Sequence, residues 1–143
     1  MTPEQISLIR QSWQKISPIA DTAATLFYQR LFELDPGLRA LFPGDLTKQR
    51  AKLMTMLSVV VHNLDALRPL IPTIQALGRR HVNYGVQAEH YATVGAALLW
   101  TLGQGLGEDF SDEVRDAWTA AYGVLSSTMC EAARTVEAPA AIE

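Results

Sequence analysis

This 143-residue chain is short of cysteine, of histidine and of any large surplus of one charge sign. The single Cys130 excludes an internal disulfide and leaves no second thiol for a redox pair, so it reads as a small, buried or half-buried apolar residue. Twelve Lys and Arg against fifteen Asp and Glu leave a net charge of −3, which is no electrostatic footprint for nucleic acid. No apolar run approaches the length of a bilayer span, so no membrane partner is expected. The N-terminus opens on polar, proline-containing residues instead of the charged and apolar regions of a signal peptide, and a cytoplasmic location is the expectation. Alternating β-branched stretches are missing too, and no segment reads as a strand. Gly103-Gln104-Gly105-Leu106-Gly107 looks like a dinucleotide-binding loop, but it follows a helix and Glu108 takes the place of the third glycine.

What the chain does have is helical periodicity, with 48% hydrophobic residues, enough for one domain with a sizeable core. Thr2-Pro3-Glu4-Gln5 is a cap, a first-turn proline and a capping-box glutamine ahead of Ile6, Ile9, Trp13 and Ile16. Ser17-Pro18 repeats the cap-plus-proline start, and the run it opens stops at Asp35-Pro36 because a residue before proline avoids helical angles. After the corner Pro43-Gly44-Asp45, a long helix is predicted from Ala51 to Leu64. Pro69 and Pro72 break the chain again, and Gly85 closes the helix after them. Further helices are predicted over about 87–102 and 112–135, the last capped by Ser111. The expected domain is 1–135, all-α with six to eight helices, and 136–143, without a periodic stripe, is expected to be a mobile tail.

Within that frame, Ile74, Leu77 and His81 follow at steps of three and four, so the imidazole shares a stripe with apolar side chains. Gln49 and Leu53 are likewise one turn apart on the long helix. A core histidine bonded to a backbone carbonyl fits this spacing as well as a ligand does. Tyr28 beside Phe27 equally fits a core aromatic. His62, nine residues beyond Leu53, falls on the opposite face at roughly 100° per residue and is expected to face solvent.

The segment Leu77-Gly78-Arg79-Arg80-His81-Val82-Asn83-Tyr84-Gly85-Val86 resembles the proximal segment of neuroglobin-type and bacterial single-domain globins and of flavohaemoglobin haem domains. Phe27-Tyr28, Leu41-Phe42, Gln49, Glu89-His90-Tyr91, Val94-Gly95 and Ala121-Tyr122-Gly123-Val124 resemble the same family in the same order, from Ser12-Trp13 to about Met129. The resemblance implies the globin fold, a three-on-three helical sandwich around a haem pocket. It implies His81 as the iron ligand of a five-coordinate haem b, with Tyr28 and Gln49 on the distal side stabilising bound gas. Phe42 would lie on the haem, Leu53 would wall the ligand, and Leu77, Val86 and Tyr91 would line the proximal side. Lys52 and Arg80 would meet the propionates, although solvated charges at these positions fit equally well. Without a Cys-x-x-Cys-His motif, noncovalent haem is implied.

One position departs from the flavohaemoglobin pattern. The glutamate that supports the proximal histidine there falls on Ala133 here, with Glu131 two residues earlier, so peroxidase-like chemistry is in doubt. The small ligands implied are O2, NO and CO, and nitric oxide dioxygenation would draw electrons from a separate reductase or small reductant. Two other functions stay open: a haem-based gas sensor acting through a separate partner protein, and a haem-free helical module of globin shape.

Overall fold

A computed structural model describes residues 1–42, 44–83 and 85–142, without the side chains of Asn83 and 135–142. It holds six α-helices and four 3-10 turns among the described residues: α1 Pro3–Ile16, α2 Ala20–Leu34, α3 Thr47–His62, α4 Ile71–Asn83, α5 Ala88–Leu106 and α6 Asp112–Ile142.

α1 begins as its sequence dictates. The Thr2 hydroxyl accepts from the Gln5 N–H at 3.1 Å while the Gln5 amide oxygen accepts from the Thr2 N–H at 3.1 Å. Its stripe of Ile9, Trp13 and Ile16 is buried. The second cap differs from expectation: Ser17 has helical angles, φ −53° and ψ −42°, whereas a capping side chain needs extended ones. Ser17-Pro18 therefore forms a 3-10 turn, and α2 starts at Ala20. It stops where Asp35 turns extended ahead of Pro36, and the Asp35 carboxylate accepts from the Gly37 N–H at 3.1 Å.

α3 starts four residues before the expected Ala51, because the Asp45 carboxylate takes both the Thr47 N–H (2.9 Å) and its hydroxyl (2.7 Å). α5 likewise runs to Leu106, one turn beyond the expected end, so Gly103 and Gly105 are helical and only Gly107 leaves the helix. The Ser111 hydroxyl accepts from the Val114 N–H at 3.3 Å at the head of α6, as predicted. α6 continues past Thr135 to Ile142; the side chains of the tail expected at 136–143 lie outside the described residues.

α1 lies across α3, α5 and α6, α2 packs on α3 and α5, and α4 packs on α6. In the core, the buried Trp118 indole N–H donates to Ser12 Oγ at 2.8 Å, and that hydroxyl donates back to its own helix. Trp13 and Trp118 meet with ring centroids 6.0 Å apart. The expected all-α class is what the chain forms.

Candidate functional site

α2 buries Phe27, Tyr28 and Leu31 on its inner face, and the 3-10 turn after it delivers Phe42. Tyr28 is 4% exposed, and its ring meets Phe42 edge-on at 5.6 Å between centroids, with Phe27 at 4.9 Å on another side. Gln49, in the first turn of α3, is close enough to the Tyr28 hydroxyl to act on its pKa. Burial pushes the Tyr28 pKa up, and the Gln49 hydrogen bond and the Arg50 charge only partly offset it. The phenol therefore keeps its proton at neutral pH and is available as a donor. Leu53, one turn further along α3, is half-buried and packs against the same core. Tyr28, Phe42 and Gln49 thus form one wall.

α4 carries the second group. His81 is half-buried, and its Nδ1 lies 2.7 Å from the Leu77 carbonyl oxygen. A carbonyl can only accept, so Nδ1 bears the proton and Nε2 bears the lone pair. Burial is the main force lowering the His81 pKa; the neighbouring Arg80 charge adds to it and the Leu77 bond opposes it. The ring is neutral at pH 7, which is the form that ligates a metal. Of the two readings left open by the spacing, the bond to a carbonyl is present; such a bond is also what fixes the ring of a metal-ligating histidine.

The chain leaves α4 through Gly85 at φ +88°, a conformation that suits glycine, and the Val86 N–H closes onto the His81 carbonyl at 3.0 Å. A side chain at Gly85 would come within 3.3 Å of Leu41, so this turn approaches the residue just before Phe42. That is where the two groups draw near each other. Leu77 and Val86 are half-buried, as is Tyr91 in the first turn of α5. The Tyr91 hydroxyl is buried with no hydrogen-bond partner among the described residues. Burial and the nearby Cys130 push its pKa up to about 12. The Tyr91 carbonyl accepts from the Tyr122 hydroxyl at 2.6 Å.

Lys52 and Arg80 are exposed and join neither group through a hydrogen bond among the described residues. His62 faces solvent as expected, its Nδ1 2.7 Å from the Ser58 carbonyl. Ala133 is half-buried and Glu131 exposed. Sequence reasoning did not foresee Tyr122 and Cys130 as neighbours of Tyr91. The available signal was the spacing of Tyr122, Ser126 and Cys130, which sets them on one stripe of α6.

The family model described as Globin matches residues 25–129. The chain belongs to the globin family. This globin is 32% identical to a flavohemoprotein of Bordetella parapertussis over 99% of its own length, although it spans only 36% of that longer protein. It is also 32% identical to neuroglobin of Danio rerio, over 85% of this chain and 86% of that one. Among solved structures, an engineered carbene transferase from Rhodothermus marinus superimposes with a TM-score of 0.89 at 26% identity, covering 99% of both chains. A bacterial globin from Campylobacter jejuni superimposes at 0.84, with 24% identity over 95% of this chain and 99% of that one. The globin fold is therefore established.

The donor set fits a haem. No group of three or more His, Cys, Asp or Glu among the described residues could cage a bare ion, and on α4 the half-buried His81 offers an oriented, neutral imidazole. A macrocycle that brings its own four nitrogens needs only that much from the protein.

Proposed function

We propose that this globin holds noncovalent haem b through His81 and binds dioxygen, nitric oxide or carbon monoxide on the side lined by Tyr28 and Gln49. The observation that carries the reading is the pairing of a neutral, carbonyl-oriented imidazole with a buried, protonated phenol in one globin fold. When bound, haem supplies an iron that accepts a diatomic gas and passes electron density onto dioxygen. Tyr28 would offer its phenol O–H as a hydrogen-bond donor to a bound gas, and Gln49 would help hold the phenol in place. A hydrogen bond to a partly charged acceptor contributes roughly 1.5 to 3 kcal/mol, which slows release about ten- to a hundredfold. Phe42 and Leu53 keep water from the distal side, Leu77 and Val86 seat the imidazole, and Lys52 and Arg80 offer exposed cations for the propionates.

Similarity to flavohemoproteins, and to a Rhodothermus marinus structure whose parent is a candidate nitric oxide dioxygenase, supports nitric oxide dioxygenation as the reaction. Gly103-Gln104-Gly105 belongs to a helix and is no nucleotide loop, so the electrons for repeated turnover come from a donor outside this globin domain. With Ala133 where a supporting glutamate would stand, the imidazole is less anionic, which favours gas binding over peroxidase-like chemistry. The test is stopped-flow mixing of nitric oxide with the oxygenated protein. One fast turnover that stops, and resumes when a reducing system is added, supports the proposal; sustained turnover with NADH alone overturns the need for a separate donor. Purified protein that takes up no haem overturns the reading altogether.

A further inference from the structure

We propose that Gly78 is a positioning residue for His81: its missing side chain lets α4 rest on the main chain of α6, and that contact sets where the imidazole stands. The proposal rests on the haem reading. Ile74 and Gly78, one turn apart, are the buried residues of α4, while Leu77 and His81 are half-buried beside them. A Cβ at Gly78 would lie 2.5 Å from the Met129 carbonyl oxygen, 2.7 Å from its Cα and 2.9 Å from its carbonyl carbon. All three are main-chain atoms of a helix, so no rotamer change makes room.

The other helical glycines nearby behave differently. A Cβ at Gly95 would meet the Tyr122 ring at 2.8 Å, a side chain, and one at Gly123 would meet nothing within 4 Å. Bringing the Gly78 contact out to van der Waals distance needs a displacement of α4 from α6 on the order of 1 Å, because helix interiors are stiff and close-packed. His81 is three residues further along the same helix, and its ring is tied to that helix by the Leu77 carbonyl. It must move with α4. A metal–nitrogen bond tolerates only about 0.2 Å. The contact that admits a glycine therefore fixes the register between the ligand and whatever it holds.

The experiment compares the haem-loaded wild type, Gly78→Ala, Gly123→Ala, His81→Gly with added imidazole, and the double variant Gly78→Ala/His81→Gly with imidazole. The readouts are the iron–imidazole stretching band of the ferrous protein and the thermal midpoint. Alanine is the better helix former, so Gly123→Ala should raise the midpoint and leave the band in place. Gly78→Ala should lower the midpoint and shift or split the band. With imidazole supplied from solution the ligand no longer rides on α4, and Gly78→Ala should then leave the band unmoved. An unshifted band in Gly78→Ala overturns the proposal, as does an equal shift in the double variant. If Gly78→Ala takes up no haem, recovery in the double variant supports the proposal, and failure in both shows only a structural glycine and overturns it. The haem reading fails separately, if His81→Gly alone keeps the wild-type band without imidazole.

Discussion

The two walls of the site are held by different kinds of contact. On the α2–α3 side, Tyr28 and Phe42 are fixed by ring packing, with the Gln49 amide near enough to the phenol to lower its pKa. On the α4–α6 side, the fixing atoms are main-chain: the Leu77 carbonyl on His81, the His81 carbonyl on Val86, the Tyr91 carbonyl on Tyr122, and the Met129 backbone against Gly78. Side-chain contacts can be exchanged one at a time without moving a helix, whereas main-chain contacts change only when a helix moves. On the proposed function, the first wall would tune which gas stays, and the second would hold the haem at one distance.

The largest effect expected from this contrast is on the α4 side. Removing the imidazole with His81→Ala takes away the proposed iron ligand, so haem should be lost on desalting and retained when imidazole is added. Unchanged absorption spectra with no response to imidazole would break the distinction between the walls. A smaller effect is expected across the site. Gln49→Leu should speed dioxygen release a few-fold, and its effect should shrink in a Tyr28→Phe background, because an amide that works by holding a phenol has nothing left to hold. Additive effects would show Gln49 acting on the ligand by itself.

The smallest effect concerns alkali. Tyr91 has a pKa of about 12 in the folded state against an ordinary 10.0, so the unfolded phenol ionises first as pH rises. Its share of stability is fully present below pH 10 and is lost between there and about pH 12. Tyr91→Phe should therefore flatten the fall in denaturant midpoint between about pH 10 and pH 12. An equally steep fall would mean that the α4–α6 wall does not bury this hydroxyl in solution.

The same contrast explains what could be read in the chain before its structure. Ile9, Trp13 and Ile16 announce their helix through periodicity, whereas Tyr28, Gln49 and His81 stand out through the resemblance to a known family, since spacing leaves Tyr28 and His81 open as core residues. Main-chain contacts leave no such trace. The Met129 backbone under Gly78 and the Tyr91 carbonyl under Tyr122 involve atoms common to all residues, so only the packed structure reveals them. The misread boundaries have the same origin. Ser17 has a capping side chain but the wrong backbone angles, and α3 starts early because Asp45 happens to reach Thr47.

The central claim is that Tyr28 decides how long dioxygen stays, and stopped-flow displacement of dioxygen and of carbon monoxide from wild type and Tyr28→Phe tests it most directly. The substitution removes one hydroxyl and leaves the ring against Phe42 and Phe27, so packing is preserved. Dioxygen release should accelerate at least about tenfold, equivalent to roughly 1.4 kcal/mol, while carbon monoxide release, from a ligand with little negative charge, should change far less. Equal acceleration of both gases, or no change in dioxygen release, would contradict the account and return Tyr28 to the role of a core aromatic.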